Sequence, residues 1–261
     1  MNDATETLLG SLDPEVAERL VSRRGAVGDL GRKVGLAAIA SAPVMLGVMA
    51  RSAFAQGSSL PQSIIDVLNF ALTLEYLESS FYVAGLAAPG LIPSANLTVF
   101  QQISKHETAH VAYLQQALGS SAVAKPTFDF TAGGTFADVL TNPATFMAVA
   151  QAFEDTGVRA YKGQAGNLQS NGAILTVALQ IHSVEARHAS EVRRIRGQKG
   201  WITGAQTDIA AAAANYAGED NTTQAGVNVA AIVSYNAGTE AFDEPLTKDQ
   251  VLALVTPFIT G

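Results

Sequence analysis

Ile103-Ser104-Lys105-His106-Glu107-Thr108-Ala109-His110-Val111-Ala112-Tyr113-Leu114 and Ile181-His182-Ser183-Val184-Glu185-Ala186-Arg187-His188-Ala189-Ser190-Glu191-Val192 decide how this chain folds. Each sets Glu-x-x-His inside an apolar helical period: Phe100, Ile103 and Leu114 around Glu107 and His110, and Val177, Ile181, Val192 and Ile195 around Glu185 and His188. Residues at i and i+3 are neighbours on a helix surface, so each pair aims both side chains at one point. Two further apolar stripes are interrupted in the same way. Ile64, Ile65, Leu68 and Leu72 lead to Glu75, then Ser79 and Tyr82, while Phe146 and Ala150 lead to Glu154, then Val158 and Tyr161. An ionised carboxylate buried without a partner costs several kcal/mol. One such residue is commonly a paired core group, but four, one per stripe, call for a shared cation.

The spacing between them is regular. Glu75 precedes Glu107 by 32 residues and Glu154 precedes Glu185 by 31. Antiparallel helices joined by short loops bring residues ~30 apart to one height. The expected helices are residues 61–86, 97–118, a third opening at Asn142-Pro143 as N-cap and first turn, and 173–196. Between the second and third, residues 119–141 contain Lys125-Pro126, an extended Phe128-Asp129-Phe130 and Gly133-Gly134, which reads as a long crossover. Past Gly200 the signals weaken. Ala210–Ala214 suits a short helix, Asn215–Asn228 a loop, and Thr247-Lys248-Asp249-Gln250 a capping box before a last short helix. No long strand-period run is present. The fold class expected is all-α: an antiparallel four-helix bundle over residues 56–200 with a long crossover between helices 2 and 3, and a C-terminal extension, 201–261, packed on it.

Composition removes other classes. The 261 residues contain no cysteine, which excludes disulfide frameworks, thiolate metal sites and thiol nucleophiles together. Sixteen basic against 23 acidic residues give a net charge of −7, against a general nucleic-acid binder. Any metal must be held by oxygen and imidazole nitrogen. Residues 1–55 read as a signal peptide: a polar stretch with Arg19, Arg23, Arg24, Arg32 and Lys33, an uncharged run from Val34 to Ala50, and Ala53-Phe54-Ala55 as a small-x-small cleavage site. Ser22-Arg23-Arg24 resembles the start of a twin-arginine signal, although Gly25-Ala26-Val27 and Asp29 depart from it. The expectation is cleavage after Ala55 and export to the periplasm, with an ordinary leader or an uncleaved anchor as alternatives. After cleavage no stable membrane insertion is expected.

One Glu on each of two helices and Glu-x-x-His on each of two others resembles the ligand set of the ferritin-like di-iron and di-manganese carboxylate proteins. Asn69-Phe70-Ala71-Leu72-Thr73-Leu74-Glu75-Tyr76-Leu77-Glu78, Val184-Glu185-Ala186-Arg187-His188-Ala189, Ala241-Phe242-Asp243 and Pro257-Phe258-Ile259-Thr260 look like the desiccation-related branch found in bacteria and plants. The resemblance implies Glu75, Glu107, His110, Glu154, Glu185 and His188 as ligands of two Fe or two Mn ions. It also implies that Glu107 and Glu185 bridge the ions while Glu75 and Glu154 each bind one.

Other residues carry rival readings. His106-Glu107-Thr108-Ala109-His110 is literally the zinc-protease motif His-Glu-x-x-His, but that reading leaves Glu75, Glu154, Glu185 and His188 unexplained. In the dimetal reading His106 is a surface group or a donor behind the ligands. Glu78 is either a further carboxylate of the site or a solvated one. His182 reads as a satisfied core imidazole before a partner of the ligands, Tyr76, Tyr82 and Tyr161 as ordinary core aromatics before neighbours of the metals, Asp155 as surface, and Arg187, Arg193, Arg194, Arg196 and Lys199 as a solvated helix end. Oxygen-rich ligation suits Mn and Fe. The expected function is oxidoreductase chemistry on Fe(II), O2 or H2O2 in stress protection, and a homo-oligomer is compatible with it. The alternative is a non-catalytic protective or interaction protein whose metals staple the helices.

Overall fold

The computed structural model describes residues 60–260, so the signal peptide and cleavage site expected within residues 1–56 lie outside the described residues. Four long helices dominate: α1 (Gln62–Ala87), α2 (Leu97–Leu118), α3 (Pro143–Ala165) and α4 (Gly172–Ile195). Their starts follow local chemistry. The Asn142 side chain accepts from Ala144 N with Pro143 in the first turn, and the Asn171 side chain accepts from Ile174 N. Gly119 closes α2 at φ 55°, a conformation that favours glycine. Short connections make α1/α2 and α3/α4 antiparallel hairpins, and residues 119–141 cross from one hairpin to the other.

The core falls into two apolar layers. At one end Phe81, Phe100, Phe146 and Phe153 pack together, with Phe81 stacked on Phe146 at 4.6 Å. Phe146 lies over Gly85, where a Cβ would come within 2.2 Å of its ring, so α1 admits no side chain there. At the other end Ile64, Leu68, Leu72, Leu114, Leu168, Ile174 and Ile181 form a second layer. Along every helix the Glu and His residues of the apolar stripes fall between these two plugs.

The segment after Gly200 covers the outer face of the bundle. It contains a 3-10 turn (Ala210–Tyr216), a two-residue hairpin β1 (Thr223–Gln224) and β2 (Val227–Asn228) inside the stretch expected to be plain loop, α5 (Tyr235–Glu240) and α6 (Lys248–Val255). Thr247 and Gln250 form the expected capping box. Val251, Val255 and Phe258 enter the first apolar layer. Beyond α6 the chain pairs with the crossover: Asp129 N donates to Phe258 O at 2.9 Å and Thr260 N to Thr127 O at 3.0 Å.

This cover corrects two expectations. Asp155 is buried, not at the surface, and takes two bonds from Arg193 and one from the Tyr216 hydroxyl. Arg193 is correspondingly buried, and Arg196 reaches Gln151 and Asp208, so only part of the basic end of α4 is solvated. The outer face of α3 is a second interface, made by residues 201–246. Arg159, 1% exposed, is its hub. Its guanidinium donates to the carbonyls of Glu244 (2.7 Å), Ala217 (2.7 Å) and Asn215 and lies 2.8 Å from Glu219 Oε1. Among the described residues no helix is long and apolar enough to cross a membrane.

Candidate metal centre

The six side chains singled out in the helix stripes converge. Two groups of donor atoms, each within 4.8 Å of one another, are formed by Glu75, Glu107, His110 and Glu185 and by Glu107, Glu154, Glu185 and His188. Glu107 and Glu185 belong to both. Four of the six, Glu75, Glu107, Glu154 and Glu185, have no solvent exposure. Both imidazoles turn Nδ1 inward. His110 Nδ1 lies 3.2 Å from Glu75, 3.3 Å from Glu107 and 3.1 Å from Glu185. His188 Nδ1 lies 2.9 Å from Glu107 and 3.2 Å from Glu154.

These groups aim at common points more than at each other. Glu107 Oε1, Glu154 Oε2, both oxygens of Glu185 and His188 Nδ1 are buried without an aligned hydrogen-bond partner. Orphaned buried acceptors cost stability unless something absent from the protein atoms satisfies them. Four carboxylates are hard donors whose full ionisation would balance two divalent ions, and two neutral imidazole nitrogens complete the set. The residues therefore fit a dimetal site.

Two tyrosines belong to the site: Tyr161, a candidate partner of the ligands in the sequence, and Tyr82, expected to be an ordinary core residue. Tyr161 donates to Glu75 Oε1 at 2.5 Å, and Tyr82 donates to Glu154 Oε1. The bonds cross: Tyr82 stands on α1 with Glu75, and Tyr161 on α3 with Glu154. Both hydroxyls are pushed well above the ordinary tyrosine range by burial and by the carboxylate each one faces, so both stay protonated donors. A sequence signal for them exists. Each tyrosine lies seven residues after its own helix's glutamate, in both halves.

Glu78 is buried at 4% exposure, so the solvated reading fails for it. Its Oε1 lies 3.1 Å from where a Cβ of Gly157 would be, and Glu185 Oε2 lies 3.5 Å from the same point. Gly157 follows Glu78 by the same 79 residues that separate Glu75 from Glu154. The second half thus has a glycine where the first has a carboxylate, which leaves room for one such group between α1 and α3. His182 is corrected as well. Its Nε2 is buried without a partner, and the charges that act on it are those of Lys162 and Asp243, not the cluster. His106 is half-buried, belongs to neither donor group and bonds to His188. Tyr76 bonds away from the cluster, to Gln115 and Val123.

Electrostatics follow from burial. Desolvation raises Glu107 to about 7 against the pull of His110 and His188. Desolvation and the neighbouring carboxylates hold Glu185 and Glu78 well above the carboxylate range. Burial would raise Glu75 too, but His110 and the bonds it receives keep it below its ordinary value. Burial opposes the charge of His188, yet Glu154 and the contact with Glu107 lift it to about 11, and Glu75 does the same more strongly for His110. Without metal the cluster is thus neutralised by protons.

A pH dependence of opposite sign in the two states follows. The contribution of His188 is complete below 6.5 and is lost as pH rises toward about 11, and that of Glu107 is complete below 4.5 and lost through about 7. Chelated protein should therefore lose stability as pH rises. Metal takes the deprotonated donors, so its stabilisation grows over the same range. Thermal unfolding of chelated and Mn-loaded protein between about pH 5 and 9 should show Tm values that diverge with pH. A constant gap would contradict this charge balance.

Residues 63–198 match the family model described as ferritin-like domain. No curated protein matches the chain.

Proposed function

The chain belongs to the ferritin-like family, and on that premise we propose that it is an exported dimetal oxidoreductase, holding two Fe or two Mn and acting on Fe(II), O2 or H2O2 in stress protection. The observation that carries this reading is the sharing of Glu107 and Glu185 by two donor groups, each completed by one further glutamate and one histidine. Two redox ions bound there would exchange two electrons with an oxidant without releasing a radical.

The chain's own residues do the rest. Glu75 and Glu154 are each held in place by a tyrosine hydroxyl from the facing helix. The aromatic layer of Phe81, Phe100, Phe146 and Phe153 and the aliphatic layer of Leu68, Leu72, Leu114 and Ile181 keep bulk water from both ends. Solvent comes nearest at His110, whose side chain is 12% exposed. That narrow opening suits a metal ion or a diatomic or peroxide oxidant better than a large organic substrate. Export by residues 1–55 is part of the proposal and rests on their sequence alone.

Elemental analysis of protein purified from its native compartment tests the reading, together with Fe(II) oxidation and peroxide consumption. Two Fe or Mn per chain with turnover supports it. One zinc per chain would favour the His106-Glu107-x-x-His110 protease reading. Two metals without turnover, with unfolding on chelation, would make the centre a staple. Mass spectrometry of the exported chain should place its N-terminus at Gln56.

A further inference from the structure

His106 and His188 lie edge to edge. His106 Nδ1 is 2.9 Å from His188 Nε2, and the two ring planes are within 10° with centroids 5.2 Å apart. Nearly coplanar rings whose closest atoms are two nitrogens are joined in their common plane by a hydrogen bond rather than packed face on face. The other nitrogen of His188 is the one facing Glu107 and Glu154. On its far side His106 Nε2 is 2.7 Å from Nε2 of the exposed Gln102 amide. A chain of three side chains thus runs from one donor group to the surface of α2.

Nothing equivalent stands behind His110, whose Nε2 has no protein partner among the described residues. The residue before Glu185, matching His106 before Glu107, is Val184. The two halves share their glutamates, histidines and tyrosines and differ here.

We propose that His106 is a positioning residue for the metal bound at His188, and that the two metal positions are therefore unequal. The inference rests on the dimetal reading above. A neutral imidazole has one N–H and one lone pair. A metal at Nδ1 takes the lone pair of His188, so its hydrogen sits on Nε2 and is donated to His106 Nδ1. The hydrogen of His106 then sits on its Nε2 and is accepted by Gln102, whose exposed amide must turn by half a rotation so that Oε1 replaces Nε2 against the ring. Holding the remote N–H of a ligand imidazole fixes its tautomer and ring plane and raises its basicity, and removing such a partner typically weakens metal binding by about 10–100-fold. The first histidine of the His-Glu-x-x-His motif thereby has a role without ligating anything.

The test is a Mn2+ titration by equilibrium dialysis on the full chain. Wild type should take up two ions in two steps. His106→Phe keeps a ring but removes the acceptor, and should weaken one step about 10–100-fold while leaving the other within about twofold. His106→Asn, whose Oδ1 replaces Nδ1 as acceptor, should recover most of the loss. On a Glu154→Ala background, which removes a donor of the His188 group, His106→Phe should add little. Equal weakening of both steps, no weakening, or His106→Asn behaving like His106→Phe overturns the proposal. Should His106→Phe not fold, 15N NMR of Zn2+-loaded wild type decides: Nε2 protonated on both His106 and His188 supports it, and the opposite tautomer on either overturns it. Wild type that binds fewer than two Mn2+ sinks the dimetal reading and this inference with it. Two ions with unchanged steps in the variant sink this inference alone.

Discussion

Glu185→Leu should empty the whole centre, not half of it, and should leave the metal-free protein more stable. Glu185 is shared by both donor groups, so its loss removes one oxygen donor from each metal at once. Glu75→Ala and Glu154→Ala each touch one group and should leave one ion per chain. The stability effect has the opposite sign. Both Glu185 oxygens are buried without an aligned partner, and burial with the Glu107 and Glu75 charges resists its ionisation. His110 keeps Glu75 and Glu107 when Glu185 is removed. Replacing an unsatisfied buried polar group by an apolar one of similar size should add about 1–3 kcal/mol to the unfolding free energy of the chelated protein. Metal analysis and urea unfolding on chelated samples read the two effects separately. A variant that keeps one ion would show that Glu185 is not the shared donor, and one destabilised without metal would show that its carboxyl is satisfied in the metal-free protein.

The second large effect lies on the far side of α3. Arg159→Met should cost about 3–5 kcal/mol, because it leaves the buried Glu219 carboxylate without its cation and strips donors from three carbonyls. The damage should be directional. Asn215, Ala217, Glu219 and Glu244 all belong to the covering segment, and Leu246 N donates to Arg159 O from the same side. Limited proteolysis should cut within residues 201–246 while the four long helices stay protected. Glu219→Gln, which removes the charge and keeps an acceptor, should be milder. Uniform cleavage across the bundle would mean that the cover and the bundle unfold as one unit.

The bundle and its six donors were legible because the 3.6-residue period places each glutamate where a leucine would otherwise stand. That conflict between polarity and position is visible in a single chain. Tyr82 and Tyr161 were less legible, since a tyrosine in a core stripe needs no explanation of its own. Only the repeated seven-residue offset from Glu75 and Glu154 marks them. Glu78 was undecidable because its burial depends on Gly157, 79 residues away, and a missing side chain leaves no periodic trace. Asp155, Arg159 and Arg193 were misread or passed over for a different reason. They sit opposite the apolar stripe, the face that a four-helix bundle normally gives to water. What buries them is residues 201–246, whose short turns and small hairpin carry almost no periodicity.

The pairing of residues 127–129 with 258–260 has a bearing on the order of assembly. The Thr127 and Thr260 hydroxyls that meet there are 133 residues apart in the chain. Closing so long a loop costs about 1 kcal/mol more than closing either hairpin, which brings Glu75 to Glu107 or Glu154 to Glu185 by a nearby turn. A nascent chain also exposes residues 75–188 before anything beyond 200 has been synthesised. The last segment should therefore dock late, onto helices whose donors have already met. In refolding experiments, metal uptake should precede the slow phase that seats Phe258, which makes the tail a clasp fastened after the cargo is aboard.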